Sequence, residues 1–149
     1  MQQIIIPIKV FTHAENLPVP KHATTHSAGT DLIAAITKSI VLNPHQRVLI
    51  PTGLAMAIPE GYEGQVRPRS GLAIKYGITV LNSPGTIDSD YRDEVKVILI
   101  NLGELPFEII RGMKIAQLVI AKYQTVELSV KHYTEESTDR HGGFGSTGI

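Results

Sequence analysis

The chain is a succession of short apolar runs separated by proline, glycine and asparagine, and this rhythm limits what it can fold into. The runs cover residues 4–11, 39–42, 47–50, 54–58, 78–81, 95–100, 107–110, 115–121 and 126–130. Between them stand Asn43-Pro44, Pro51-Thr52-Gly53, Pro59-Glu60-Gly61, Ser83-Pro84-Gly85, Leu105-Pro106 and Arg111-Gly112. Runs of this length suit strands, and strands punctuated this often predict an all-β sandwich or barrel. Only residues 70–76, Ser-Gly-Leu-Ala-Ile-Lys-Tyr, read as a helix. It is about two turns long, with Ser70 placed to cap it and Gly77 to end it.

A length of 149 residues suits one domain, and no repeat or linker divides it. The composition, 42% hydrophobic and 19% charged, is enough to bury a core. Formal net charge is zero, so bulk electrostatics argue for neither nucleic acid nor an anionic membrane as a partner. The absence of cysteine excludes disulfides and thiolate chemistry and fits a reducing compartment. Ile4-Ile5-Ile6 is cut short by Pro7 and Lys9, too early for a signal-peptide core or a membrane span. A cytoplasmic protein is expected. From His132 onward the apolar period is lost and the chain turns polar, then glycine-rich. Such a segment cannot bury enough surface to order itself alone. The expected organisation is therefore a β domain over residues 1–131 and a flexible arm over 132–149.

Polar islands interrupt the β pattern. The first, Ser27-Ala28-Gly29-Thr30-Asp31-Leu32, sets an aspartate where a loop meets a strand, and a turn aspartate bonding its own backbone accounts for it. In the second, Arg67-Pro68-Arg69-Ser70-Gly71-Leu72-Ala73, a guanidinium stands beside the free N–H groups of a helix start. That combination binds phosphate, and a capped helix with surface arginines explains it about equally well. The third runs from Asn82 to Glu94. It begins as a turn and ends with four carboxylates, a tyrosine and an arginine in its last seven residues. A solvated hairpin loop seldom packs aspartates so densely unless a cation or a proton transfer uses them. The fourth holds Gln117 within the apolar run 115–121, where the solvent face of an alternating strand accommodates it. The fifth is Arg140-His141-Gly142-Gly143-Phe144-Gly145-Ser146-Thr147-Gly148. Its glycines and hydroxyls expose donors as phosphate loops do, but it lacks the lysine and following helix of a Walker A motif.

In this order and spacing the islands resemble the trimeric dUTPase family. The matching residues are Ala28-Gly29-x-Asp31-Leu32, Pro68-Arg69-Ser70-Gly71-Leu72-Ala73, Asn82-Ser83-Pro84-Gly85-Thr86-Ile87-Asp88-x-x-Tyr91-Arg92, Arg111-Gly112-x-x-Ile115-Ala116-Gln117, and Arg140 with Gly142-Gly143-Phe144-Gly145-Ser146-Thr147-Gly148. Any one island is weak evidence; together they span nearly the whole chain.

The resemblance implies a distorted, jelly-roll-like β-barrel and a homotrimer with shared active sites, the tail of one subunit closing over a neighbour's site. It implies Mg²⁺-dependent hydrolysis of dUTP to dUMP and pyrophosphate, which keeps uracil out of DNA and supplies dUMP for thymidylate synthesis. By the same resemblance Asp88 is the catalytic base for water attacking the α-phosphorus, chemistry that rests on positioning and charge neutralisation. Asp31 would hold Mg²⁺ through its water shell. Arg69, Ser70 and Gly71 would grip phosphate oxygens, with Gln117 close by. Asn82 and the backbone around Thr86, Ile87 and Lys96 would pair with the uracil edge. Cytosine carries the opposite donor pattern, and such mismatches discriminate by ~10⁴-fold or more. Tyr91 would pack under the deoxyribose and exclude a 2′-hydroxyl. Arg140 would reach the γ-phosphate and Phe144 stack on uracil, with Gly145, Ser146 and Thr147 as further substrate-binding positions.

The chain departs from the family pattern at Asp93, where glycine is usual, and has one residue fewer between Arg140 and the glycine pair. A dCTP deaminase, which shares the fold but needs a glutamate base, fits Asp88-x-x-Tyr91 and the phenylalanine-bearing tail poorly. A non-catalytic regulator on the same surface could have lost its aspartates or tail, and both persist.

Overall fold

The computed structural model describes residues 4–132. The elements in chain order are β1 (Ile8–Val10), a 3₁₀ turn (Thr12–Ala14), β2 (Gly29–Ile33), β3 (Ile40–Leu42), β4 (Arg47–Pro51), β5 (Leu54–Met56), β6 (Tyr62–Arg67), α1 (Ser70–Tyr76), β7 (Ile78–Val80), β8 (Gly85–Ile87), β9 (Lys96–Asn101), β10 (Phe107–Ile109) and β11 (Lys114–Lys122). No helix among the described residues is long and apolar enough to cross a membrane.

The all-β class with a single short helix is what the sequence predicts. Hydrogen bonding, however, does not run continuously around a barrel. Among the described residues the strands form separate antiparallel sheets, ordered β1-β5, β10-β3, β2-β11-β6-β8 and β4-β9-β7. They enclose one core built from alternate positions, including Leu32, Leu42, Ile50, Ile78, Val97, Leu99, Ile109 and Ile115. In β9 the alternation is strict: Val97, Leu99 and Asn101 are buried, and their neighbours less so.

Several local expectations needed correction. β2, β6 and β8 lie in stretches with no continuous apolar run. The run 126–130 is not a strand, and Val126, Leu128 and Val130 are exposed. Its Val/Leu/Val alternation suits a strand, but no strand among the described residues pairs with it. The helix bounds are as predicted, but its N-cap is Arg69 in extended geometry, and Ser70 is the first helical residue. Gly77 does end it, in the left-handed conformation with its N–H on the Ala73 carbonyl. Asp93 is not among the described non-glycine residues with positive φ, which are Asn16 and His45. Replacing the usual glycine there carries no backbone penalty of that kind.

Asn101 is the polar anchor of the core. Its Nδ2 donates to the carbonyls of Leu42 (2.9 Å) and Leu105 (2.8 Å), and its Oδ1 accepts from the Gly103 N–H (2.8 Å). Its main-chain carbonyl accepts from His45 N–H, and its N–H donates to Gln46. One buried side chain thus satisfies three backbone groups of two separate connections, which would otherwise be costly to bury. Asn101→Ala orphans all three at once. The expected loss is about 2–3 kcal/mol of unfolding free energy, measurable by urea denaturation.

Candidate active site

β11 is hydrogen-bonded along both edges, and its register gathers the first, second and fourth islands. Gln117 lies opposite Asp31 of β2 on one side and Arg67 of β6 on the other. Gln117 is half-buried and donates to the Pro68 carbonyl at 2.9 Å; it is not simply a solvent-facing residue. Gly29 makes room for it, since a Cβ at Gly29 would stand 2.5 Å from Gln117 Oε1.

Asp31 is held between two cations. Arg69 Nε lies 3.0 Å from one carboxylate oxygen and Lys114 Nζ 2.7 Å from the other. Arg69 also donates to the Lys114 carbonyl at 3.1 Å, which ties the start of α1 to the start of β11. Around these residues lies an open groove of about 670 Å³. Lys21, Arg67, Arg69 and Lys75 line it against the single carboxylate of Asp31, together with Ser70, Gly71 and Gln117. The first-turn N–H groups of Ser70 and Gly71 have no intrahelical acceptor. A Cβ on Gly71 would meet nothing within 4 Å, so packing within the chain does not require glycine there, and the space is open to a ligand. An excess of cations with free N–H donors suits a polyanion. Lys21, Arg67, Lys75 and Lys114 carry no role in the sequence reading; Arg67 stood in the second island without one.

The third island forms a different cavity. Asn82, Gly85, Thr86, Ile87, Asp88, Tyr91 and Lys96 line a pocket of about 250 Å³, floored by Val66, Val95 and Ile98. β8 pairs with β6 (Gln65 opposite Thr86) and is the outer strand of its sheet. No strand among the described residues pairs with its other edge, so its backbone groups on that side are available to a ligand. The Asp88 carboxylate is exposed, with no hydrogen-bond or ionic partner among the described residues. Gly85 is buried, and a Cβ there would come within 3.1 Å of Asn82 Nδ2.

The two cavities share no lining residue. One chain therefore brings Asp31, Arg69, Ser70, Gly71 and Gln117 together, and separately Asn82, Thr86, Ile87, Asp88, Tyr91 and Lys96. Arg140, Phe144, Gly145, Ser146 and Thr147 lie outside the described residues. Among the described residues no three or more His, Asp or Glu side chains stand close enough together to hold a metal ion. Asp31, one carboxylate already beside two cations, suits contact with a metal that keeps its own waters better than direct ligation.

The dUTPase family model matches residues 15–148. The deoxyuridine 5'-triphosphate nucleotidohydrolase of Aquifex aeolicus is 60% identical over 99% of both chains. Among solved structures, the dUTPase of Staphylococcus bacteriophage 80alpha with dUPNHPP superposes with a TM-score of 0.84 at 28% identity, covering 99% of this chain and 100% of that one. A mutant dUTPase of phage phi11 of S. aureus, described for its coordination of a structural Mg(II) ion, has a TM-score of 0.78 at 26% identity over 89% and 100% of the two chains.

Gly29→Ala pushes Gln117 off the Pro68 carbonyl while leaving the core untouched. The expected result is a several-fold weaker affinity for inorganic pyrophosphate by calorimetry. The melting temperature should move by no more than about 2 °C, as for substitutions that leave the core intact.

Proposed function

The chain belongs to the dUTPase family, and from that premise we propose that it hydrolyses dUTP to dUMP and pyrophosphate, with uridine in the hairpin pocket and phosphates in the cationic groove. The observation that carries this reading is the free edge of β8 facing the pocket of Asn82, Asp88 and Tyr91. A planar base with both donors and acceptors can occupy the place of a missing strand there. Asn82 and the backbone of Thr86, Ile87 and Lys96 supply the complementary pattern, and Tyr91 excludes a 2′-hydroxyl. Asp88 is the base that orients and deprotonates the attacking water. Its unpaired carboxylate is free for that role, and in-line attack on the α-phosphorus asks mainly for positioning and neutralised charge. Arg69, Ser70, Gly71 and Gln117 hold phosphate oxygens.

Asp31 would hold Mg²⁺ through the metal's own water shell. There the ion would supply neutralisation of phosphate charge. The phage phi11 relative, with its structural Mg(II) ion, supports a metal in this family.

The separation of the two cavities supports a shared site. With the pocket and the groove apart in one chain, a homotrimer joins one subunit's pocket to a neighbour's groove. The exposed alternation of Val126, Leu128 and Val130 supports the same reading, since an unpartnered apolar face of this kind gains by covering. Residues 132–149 form the arm that closes the site, Arg140 on the γ-phosphate and Phe144 on uracil, with Gly145, Ser146 and Thr147 beside them. The reaction is cytoplasmic and involves neither nucleic acid nor membrane.

Pyrophosphate release from dUTP, dTTP, dCTP and UTP, with and without Mg²⁺, tests the activity; release from dUTP alone is expected, and it should depend on the metal. Asp88→Asn should keep nucleotide binding while lowering kcat by about 10²-fold or more; unchanged turnover would remove Asp88 from the chemistry. Deleting residues 140–149 should leave the thermal melt in place and lower kcat/KM for dUTP by at least about tenfold, because remote contacts to substrate are lost. A truncated chain that fails to fold would refute the assignment of this segment as an arm.

A further inference from the structure

We propose that Glu94 is a positioning residue for Tyr91 and, through it, for the choice of deoxyribose over ribose; the inference rests on the hairpin pocket being the deoxyuridine site. Tyr91 is exposed and lies on a loop, outside any strand. Its hydroxyl donates to the main-chain carbonyl of Glu94 at 2.9 Å. A phenol that must exclude one oxygen atom is only as well placed as the carbonyl that holds it.

That carbonyl is unusually well fixed. It shares a planar peptide unit with the Val95 N–H, which donates to the Leu54 carbonyl at 2.8 Å. The Val95 carbonyl in turn accepts from the Thr52 N–H (3.2 Å) and the Thr52 hydroxyl (2.6 Å). The other end of the unit, the Glu94 Cα, is tethered by its own side chain. Glu94 Oε1 accepts from the Gly53 N–H at 2.8 Å and lies 2.7 Å from His13 Nε2. A carboxylate only accepts, so this His13 nitrogen carries the proton. The Glu94 side chain is 14% exposed, and charge-assisted bonds there are shielded from water.

Both donors are themselves held. Gly53 has φ +70°, and a Cβ there would come within 2.0 Å of Ala14 Cβ, so its turn packs directly against the 3₁₀ turn that carries His13. Arg111 grips that turn from behind, donating to the carbonyls of His13 (2.7 Å), Glu15 (3.1 Å) and Ile36 (3.2 Å). The network runs from Arg111 through the His13 turn to the Glu94 carboxylate, and ends at the Tyr91 hydroxyl. Val95 already fastens the start of β9. What the Glu94 side chain adds is fixation of the one residue whose carbonyl holds the tyrosine.

The test compares steady-state pyrophosphate release from dUTP and UTP for the full chain and for Glu94→Ala, Glu94→Gln, Tyr91→Phe and the Glu94→Ala/Tyr91→Phe double variant, with thermal melts alongside. Glu94→Ala should lower the dUTP-to-UTP ratio of kcat/KM by about tenfold, chiefly through a higher kcat/KM for UTP, as loosening a group that excludes the 2′-hydroxyl does. Glu94→Gln keeps an acceptor for the Gly53 N–H and should recover most of the loss. Tyr91→Phe should lose selectivity similarly, and the double variant should be no worse than the poorer single one, because both act through one contact. Unchanged selectivity in Glu94→Ala, or losses that multiply in the double variant, would overturn the proposal. Should Glu94→Ala not fold, His13→Ala reads the same link. A smaller loss of selectivity in that variant supports the proposal and an unaltered ratio refutes it. A wild-type chain inactive on dUTP would sink the underlying reading too, whereas an active one with unchanged variant selectivity would sink this inference alone.

Discussion

The two-sided pairing of β11 fixes more of this molecule than any other contact. It pairs with β2 along one edge and β6 along the other, over buried Ile115, Ala116 and Leu118. Side chains alternate across a strand, so a slip of one residue would turn Gln117 toward the core and a leucine toward the groove. Burial of the apolar face therefore sets the register, and the register sets Asp31, Gln117 and Arg67 side by side. An irregularity between Lys114 and Ala116 accompanies the consecutive burial of Ile115 and Ala116. Lys114, at the start of the strand, reaches Asp31. The cationic groove is in this sense a consequence of core packing.

The hairpin pocket depends on the opposite condition, a strand edge left without a neighbour. Among the described residues β8 takes β6 on one side and no strand on the other, while β9 is committed to β4 and β7. Edge strands in soluble proteins are ordinarily covered, charged or cut short. This one is short, and it carries Asp88 just beyond its end. The loop that follows is kept in place by side chain to backbone bonds: Arg92 on the Ser89 and Tyr91 carbonyls, and the Tyr91 hydroxyl on Glu94. Glu94 connects that loop to the N-terminal turn, so a carboxylate that in sequence looks like one more charge of a solvated loop is a nearly buried acceptor.

Strong apolar runs were legible because burial demands them: β3, β4, β7, β9, β10 and β11 all fall within or close to their runs. The Gly77 helix stop was legible for an equally local reason, since glycine adopts the left-handed conformation without a Cβ clash. β6 was not, although Glu63, Gln65 and Arg67 do alternate with Gly64 and Val66. Glycine gives its inner face little apolar weight, and the outer face is a polar row in which Gln65 donates to Glu63 and Arg67 Nε donates to Gln65. β2 and β8 were hidden inside turn-like polar islands, where tertiary pairing overrides local composition. The run 126–130 failed in the reverse direction. Its alternation is strand-like, but a strand needs a partner edge, and none of the described strands offers one. Arg111 was grouped with the fourth island by resemblance alone and turns out to brace the His13 turn.

By itself the sequence determined the all-β class, the one helix and its end, and the membership of each polar island. These follow from local rules: apolar period, turn chemistry and the spacing of reactive groups. Only the tertiary structure decided that the islands divide into two cavities, that Asp31 lies between Arg69 and Lys114, and that Glu94 is fastened to His13 and Gly53. His13 and Glu94 are 81 residues apart. Contacts at that separation depend on how whole sheets pack, and no local pattern of residues encodes them.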